Sequence, residues 1–427
     1  MNKLRLLGAV AAFLGMSATA HAESPILNAG DTAWVLAATC LVIMMTVPGL
    51  ALFYGGMVRK KNVLATLMQS FAACALITIV WVVLGHSLAF DGEGAYLGGF
   101  SNVFLKSMTK DGLAPGTAIP ETVYMAFQMS FAIITPAVIC GAFADRMKFS
   151  ALLWFMTAWI LVVYAPVAHW VWGGGFLQKM GFLDFAGGSV VELNSGVAGL
   201  VACLMIGKRL GFPHEAMMPH NLILSVTGAG LLWVGWLGFN GGSALAANGL
   251  AAAALVNTQL AGASAALVWM FIEWYKHDKP TTLGIISGAV AGLVAITPSC
   301  GYVSPMGAIV VGILAAAVCF YFATAVKKRF GYDDSLDVFG VHGVGGIVGL
   351  IGNGLFAAKS WGGTSGLVEG NAQQLLIQLA GIACVALWCG VASFVMLKVI
   401  DATIGLRVAR EHEIEGLDFA LHGEAVQ

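Results

Sequence analysis

Eleven runs of apolar residues, each long enough to cross a bilayer, restrict the fold of this chain more tightly than any other feature. They cover roughly 32–58, 62–89, 121–145, 149–171, 187–207, 219–246, 249–275, 280–298, 302–326, 337–357 and 372–398. A helix of about 20 residues crosses ~30 Å of hydrocarbon at 1.5 Å per residue, and lipid forces the backbone to satisfy its own hydrogen bonds. The expected fold is all-α and polytopic, with eleven transmembrane helices. With 59% hydrophobic residues, 10% charged residues and a mean hydropathy of +0.86, the chain's partner is a lipid bilayer. A net charge of −1 argues against nucleic acid.

An odd number of spans leaves the two ends on opposite sides. Arg59, Lys60, Lys61, Arg146, Lys148, Lys208, Arg209, Lys276, Lys279, Lys327, Lys328, Arg329, Lys398, Arg407 and Arg410 fall on one side, and Lys106, Lys110, Lys179 and Lys359 on the other. The positive-inside rule puts the richer side, with the C-terminus, in the cytoplasm. The first residues read as a cleaved signal peptide over 1–22, with Lys3 and Arg5 before the apolar stretch Leu6 to Gly15 and an Ala20-His21-Ala22 cleavage site. The mature chain is then expected to start near Glu23, outside.

Two segments about 150 residues apart share one pattern. Val191-Glu192-Leu193-Asn194-Ser195-Gly196-Val197-Ala198-Gly199-Leu200 and Val341-His342-Gly343-Val344-Gly345-Gly346-Ile347-Val348-Gly349-Leu350 both place an ionisable residue ahead of glycines four and seven positions later. A weaker echo pairs Phe53-Tyr54-Gly55-Gly56 with Phe239-Asn240-Gly241-Gly242. Copies five spans apart run in opposite directions, so the chain reads as an inverted five-plus-five repeat: repeat one about 32–207, repeat two about 219–357, and an extra helix at 372–398. The membrane domain is 23–400 and a cytoplasmic tail 401–427. Inverted repeats are a transport architecture with the site near the midplane. Helices starting near Asp184 and Asp337 would carry Glu192 about 12 Å and His342 about 8 Å inward, so the two are expected to meet. The paired glycines let their helices cross closely.

A carboxylate at the bilayer centre costs about 3 kcal/mol on insertion scales, so Glu192 is expected to face a cavity, a partner or a permeating ion. Trp172 ends the fourth span, and an indole face attracts small cations. Phe131 and Phe239, on the third and sixth spans, together form a candidate aromatic constriction. The eight cysteines lie in spans or at a span end, without CxxC or Cys/His metal spacing, and read as small hydrophobes. No nucleophile, metal or phosphate-binding motif stands out, so neither an enzyme nor a cofactor is expected.

Long segments carry a resemblance to a known family. Phe53-Tyr54-Gly55-Gly56-Met57-Val58-Arg59-Lys60-Lys61-Asn62, Asp184-Phe185-Ala186-Gly187-Gly188, Gly235-Trp236-Leu237-Gly238-Phe239-Asn240-Gly241-Gly242-Ser243 and Asp337-Val338-Phe339-Gly340-Val341-His342-Gly343 resemble the ammonium transporters of the Amt/Mep/Rh group, in their bacterial branch, over nearly the whole length. The resemblance implies recruitment of ammonium by Trp172 and Ser243 with Phe131, a gate of Phe131 and Phe239, and support of the site by Asp184, with Asp337 assigned the matching place. It also implies a homotrimer in the inner (plasma) membrane with one pore per subunit. The tail resembles the family's regulatory tail, which in bacterial members couples the pore to a PII signalling protein. Most members carry histidine at both pseudo-equivalent pore positions; here the first is Glu192, as in some fungal members.

The function expected is electrogenic transport of ammonium or ammonia, with deprotonation near the Glu192/His342 pair. Two rivals are a passive ammonia channel and an ammonium sensor acting through the tail. The short tail, about 27 residues after the membrane domain, speaks against an appended signalling domain.

Overall fold

The computed structural model describes residues 26–426, so the expected signal peptide and its cleavage site lie outside the described residues. The described chain is helical throughout and forms no β-strand. Ten helices are long and apolar enough to cross a membrane: α1 Ala29–Met57, α2 Lys60–Phe90, α3 Glu121–Phe143, α4 Phe149–Lys179, α5 Gly188–Ile206, α6 Leu222–Gly242, α7 Gly249–His277, then α9 Pro305–Phe330, α10 Phe339–Phe356 and α11 Ala372–Thr403. The expected eighth span is a shorter apolar helix, α8, Thr282–Ile296. At 15 residues it rises about 22 Å, short of the hydrocarbon thickness. Two short helices, α12 Arg410–Glu415 and α13 Leu417–His422, close the chain.

The starts of α6, α7, α8 and α9 are marked by capping side chains. Asn221 accepts from the N–H groups of Ile223 and Leu224, Asn248 from Leu250 and Ala251, Thr281 from Gly284, and Ser304 from Gly307. These bonds satisfy donors that a helix terminus leaves open, which matters most where lipid offers no substitute.

The two halves pack as an inverted pair. The C-terminal end of α1, with Phe53, Tyr54 and Met57, lies on the same face as the start of α10 and the end of α9, where these helices line one cavity. The C-terminal end of its repeat mate α6, with Ser243 just beyond, shares the opposite face with Trp172 at the end of α4. Helix α1 packs along its counterpart α6, and α5 along its counterpart α10; α11 covers α4, α5 and α10.

Glycine makes the α5/α10 crossing possible. A Cβ on Gly196 would overlap the backbone of Gly343, and one on Gly346 would sit 2.7 Å from the Gly188 carbonyl oxygen and 3.1 Å from Glu192 Cβ. That Cβ would also sit 3.0 Å from Leu193 N, which makes the Gly196/Gly343 and Gly346/Leu193 contacts repeat mates, since 196 and 346, like 193 and 343, differ by the 150-residue offset.

The tail folds back over one face, called here the tail face. Leu417 N–H donates to Asn62 Oδ1 (2.8 Å), Ala65 N–H to Asp418 Oδ1 (2.8 Å), and Arg407 to Glu413 Oε2 (2.8 Å). Lys148 donates to the Ile404 carbonyl and Lys61 to that of Glu413, so basic residues from several inter-helix links gather here. All eight cysteines are free; five are buried, while Cys40 is exposed and Cys74 and Cys384 half-buried.

Candidate functional site

A route through the chain can be followed from the far face inward. It begins at a vestibule of about 170 Å³ lined by Tyr124, Phe127, Gln128, Phe131, Trp172, Gln178, Phe185, Ser243 and Leu245. Trp172 is held by its indole N–H, which donates to the Asp184 carbonyl at 2.9 Å, and Ser243 Oγ donates to the Phe239 carbonyl at 2.8 Å. With its hydrogen committed, the Ser243 oxygen keeps a lone pair to accept an N–H donor. The vestibule therefore offers aromatic faces and oxygen acceptors, the two features that recognise a small N–H cation.

Phe131 and Phe239 form the floor. Their rings stack at 3.9 Å between centroids with 26° between planes, and Trp172 stands edge-on to Phe131 at 6.1 Å. Phe131 faces the vestibule and Phe239 the void beneath, so the stack divides the route. That void is lined by Phe53, Ile134, Val138, Val191, Leu232, Trp236, Val290, Glu192 and His342 among others, and holds about 10 Å³, room for roughly one water-sized sphere. Apart from Glu192 and His342 its walls are almost wholly apolar.

Glu192 and His342 meet at this depth. His342 Nδ1 lies 2.7 Å from Glu192 Oε2, with Glu192 2% and His342 5% exposed. Each sits in a π-helical turn, Gly188–Leu193 and Phe339–Gly343, that widens the start of its helix before regular α geometry resumes. Such turns break the usual ladder and are frequent at functional sites. An ionised Glu192 is acceptor-only, so Nδ1 then carries the hydrogen; a protonated Glu192 can donate to Nδ1 instead. The contact therefore fits a hydrogen carried on either group.

The acid that builds the first turn is Asp184. Its carboxylate accepts from the N–H groups of Gly187 (2.8 Å), Gly188 (2.7 Å) and Ser189 (2.6 Å) and from Ser189 Oγ (2.5 Å). Gly187 has φ +114°, a conformation closed to most L-residues, and a Cβ there would press on Val191 at 2.9 Å. Asp184 thereby joins the Trp172 contact, through its carbonyl, to the turn carrying Glu192, through its carboxylate.

Asp337, given the matching supporting place in the second half, does something else. It has φ +58° and pairs with Lys327 Nζ at 2.7 Å, and its side chain is 36% exposed. The acid at the Asp184 position is Asp334, fully buried, whose Oδ2 accepts from Phe339 N–H at 2.8 Å. The 150-residue offset from Asp184 points to 334 directly, so the signal was present in the repeat itself. Gln128 and Gln178, both in the vestibule wall, carried no comparable signal.

Beyond the pair the route opens into a cavity of about 330 Å³ at the tail face, lined by Phe53, Tyr54, Arg209, Phe212, Glu215, Trp269, Lys327, Asp337 and His342 among others. Arg209 donates to both oxygens of Asp333 at 2.9 and 2.7 Å and reaches Asp145 at 3.8 Å; Asp145 in turn holds Arg59 at 3.0 Å. Arg209 holds the Asp333 carboxyl below its usual range, against the opposing effect of burial. Among the described residues, no cluster of three or more His, Cys, Asp or Glu side chains is placed to hold a metal ion.

Comparison with known proteins matches this geometry to one group. The Ammonium Transporter Family matches residues 33–427. The chain is 49% identical over 425 residues to an ammonium transporter of Aquifex aeolicus, covering 99% of each, and 48% identical over 400 residues to one of Bacillus subtilis, covering 93% of this chain and 98% of that one. The crystal structure of Candida albicans Mep2 superposes with a TM-score of 0.83 at 34% identity, over 90% of this chain and 88% of that one. The chain belongs to the Ammonium Transporter Family and is a polytopic membrane protein that transports ammonium or ammonia across the bilayer.

Proposed function

We propose that the transport is electrogenic: ammonium is recruited at the far face, gives up a proton near Glu192 and His342, and crosses the narrow void as ammonia while the proton travels separately. The observation that carries this reading is the buried 2.7 Å contact between Glu192 and His342 directly beneath the Phe131/Phe239 stack. Ammonium and potassium are similar in size, so a pore cannot sieve them apart. Ammonium alone can present directed N–H donors and then surrender a proton, and an apolar void passes the neutral product far more readily than the ion.

In this reading Trp172, Ser243 and Phe131 bind the cation, with Gln128 and Gln178 within the same wall. The Phe131/Phe239 stack strips its water. Glu192 accepts the proton and His342 shares it, so the apparent titration belongs to the couple. Ammonia then reaches the tail-face cavity and is protonated again there. Because a carboxylate stabilises any cation, potassium is rejected less completely than by a two-histidine pore.

The tail face is the cytoplasmic one, in line with the basic residues gathered on it. The N-terminus is then outside, following removal of residues 1–22, and the protein resides in the inner (plasma) membrane as a homotrimer with one route per subunit. The tail, held by Asn62, Lys61, Lys148 and Arg407, presents a folded surface to a PII signalling protein.

Glu192→Gln tests the proton-acceptor role. In proteoliposomes the ammonium-evoked current should fall by about 100-fold or more, the scale of a positioned proton-transfer group, with its pH dependence altered. An unchanged current with an unchanged pH profile removes Glu192 from the relay.

A further inference from the structure

Asp184 and Asp334 stand eight residues before Glu192 and His342 and open the two pseudo-equivalent helices, yet they are bonded differently. Both oxygens of Asp184 accept N–H or O–H donors. Asp334 is 0% exposed; Oδ2 accepts from Phe339 N–H, and Oδ1 is buried without a hydrogen-bond partner. An ionised carboxylate is acceptor-only, and a buried charge with an unsatisfied oxygen is costly, so a site furnished this way accommodates a neutral carboxyl as well.

The surroundings set two charged states close together. Burial pushes the Asp334 carboxyl up to about 6; Lys327 opposes this, and Asp337 adds to it. The titratable groups coupled to it electrostatically are Tyr54 of α1, Cys203 of α5, Lys327 of α9, Tyr332 in the α9–α10 link and Asp337 on its own segment. Lys327 is already bonded to Asp337, and both side chains line the tail-face cavity together with His342. One ammonium group is therefore bonded to the acid in the cavity wall, Asp337, and acts through space on the acid behind it, Asp334.

We propose that Asp334 is a proton-dependent positioning residue of the tail-face mouth. Neutral, it leaves Lys327 to Asp337. Ionised, it draws on Lys327 and adds a negative charge behind the cavity where ammonia is protonated again, which favours formation of the cation. Through Phe339 N–H the same carboxyl holds the start of the turn that carries His342. The functional half of this inference rests on the proposed route, with the cavity as its exit.

Asp334→Asn tests it, because asparagine keeps an acceptor for Phe339 N–H and cannot ionise. The full-length protein in proteoliposomes is compared with the variant by ammonium current and by the infrared carboxyl band in the wild-type minus variant difference. The difference band should disappear as pH rises between about 5 and 7. The two currents should agree near pH 5 and diverge by about threefold near pH 7.5, wild type higher, the scale of one added unit charge beside the cavity. Asp337→Asn removes the like charge and frees Lys327, so the band should titrate at lower pH; this second variant decides the matter if Asp334→Asn does not fold. A difference band that does not titrate in this range, a current ratio constant with pH, or an Asp337→Asn titration at the wild-type position overturns the proposal. A titrating band in a protein that carries no ammonium current supports the ionisation of Asp334 and overturns the proposed electrogenic function instead.

Discussion

At the scale of single residues, the proposed route gives recognition to the vestibule and proton chemistry to the Glu192/His342 pair. Trp172 contributes an aromatic face, and cation–π attraction is worth about 0.5–2 kcal/mol. Trp172→Ala should therefore raise the half-saturating ammonium concentration roughly 3- to 30-fold and change the maximal current less. An unmoved half-saturation with a lost maximal current would assign Trp172 to conduction and not to binding. The residues named from sequence occupy the route in order: Trp172, Ser243 and Phe131 at the vestibule, Phe239 beneath, then Glu192 against His342. Glu192 and His342 were legible as an acid and an imidazole at matching places in apolar spans, and Trp172 and Phe239 as aromatics beside glycine, whereas Ser243 and the recruiting place of Phe131 came from the family resemblance. Gln128 and Gln178 were not legible, since a single amide inside a helix or at its end is ordinary until the cavity beside it is known. Asp334 was legible from the repeat offset, while Asp337 drew attention because it lies within the longer family-like segment.

At the scale of elements, the repeat is a packing device. Helices α5 and α10 approach through Gly196, Gly343 and Gly346, and their closeness is what brings the two π-helical turns within hydrogen-bond reach. Gly196→Ala drives a methyl into the Gly343 backbone and should destabilise the protein by about 1–3 kcal/mol, the range for overpacking. Gly230→Ala is the control, because a Cβ there meets nothing within 4 Å, so its melting temperature should match wild type. Equal melting temperatures for both variants would contradict the close-crossing account. The spans and their repeat were readable from hydropathy and spacing, since lipid imposes length and apolarity on each helix. Hydropathy could not show that α8 would stop at Ile296, where the chain turns through Thr297, Pro298 and Ser299 beside α5 and α10. It also gave α11 an end at 398, whereas the helix continues to Thr403.

At the scale of the whole molecule, charges from distant parts of the chain tie the tail face together. Arg209 and Asp333 are 124 residues apart in sequence, and Arg59 and Asp145 are 86 apart, separations at which no local pattern reveals a pairing. Asp333 has a lowered folded value, so its stabilising effect is complete above the ordinary carboxylate value near 4 and is lost as pH falls below that. Asp333→Asn should cost about 3–5 kcal/mol near neutral pH by leaving Arg209 without its bidentate partner, and should lose less further stability on acidification than wild type. Melting temperatures that fall in parallel from about pH 6 to about pH 3 would contradict this assignment. The same network lies between the tail, through Asn62 and Asp145, and the tail-face cavity, through Arg209.

The most direct test of the central claim is the transient current in proteoliposomes after an ammonium jump, beside an equal potassium jump. Electrogenic transport through the Glu192/His342 pair predicts a large ammonium current and a much smaller potassium current that still exceeds that of empty liposomes. Raised ammonia flux with no ammonium current would contradict the account and make the protein a channel for the neutral gas.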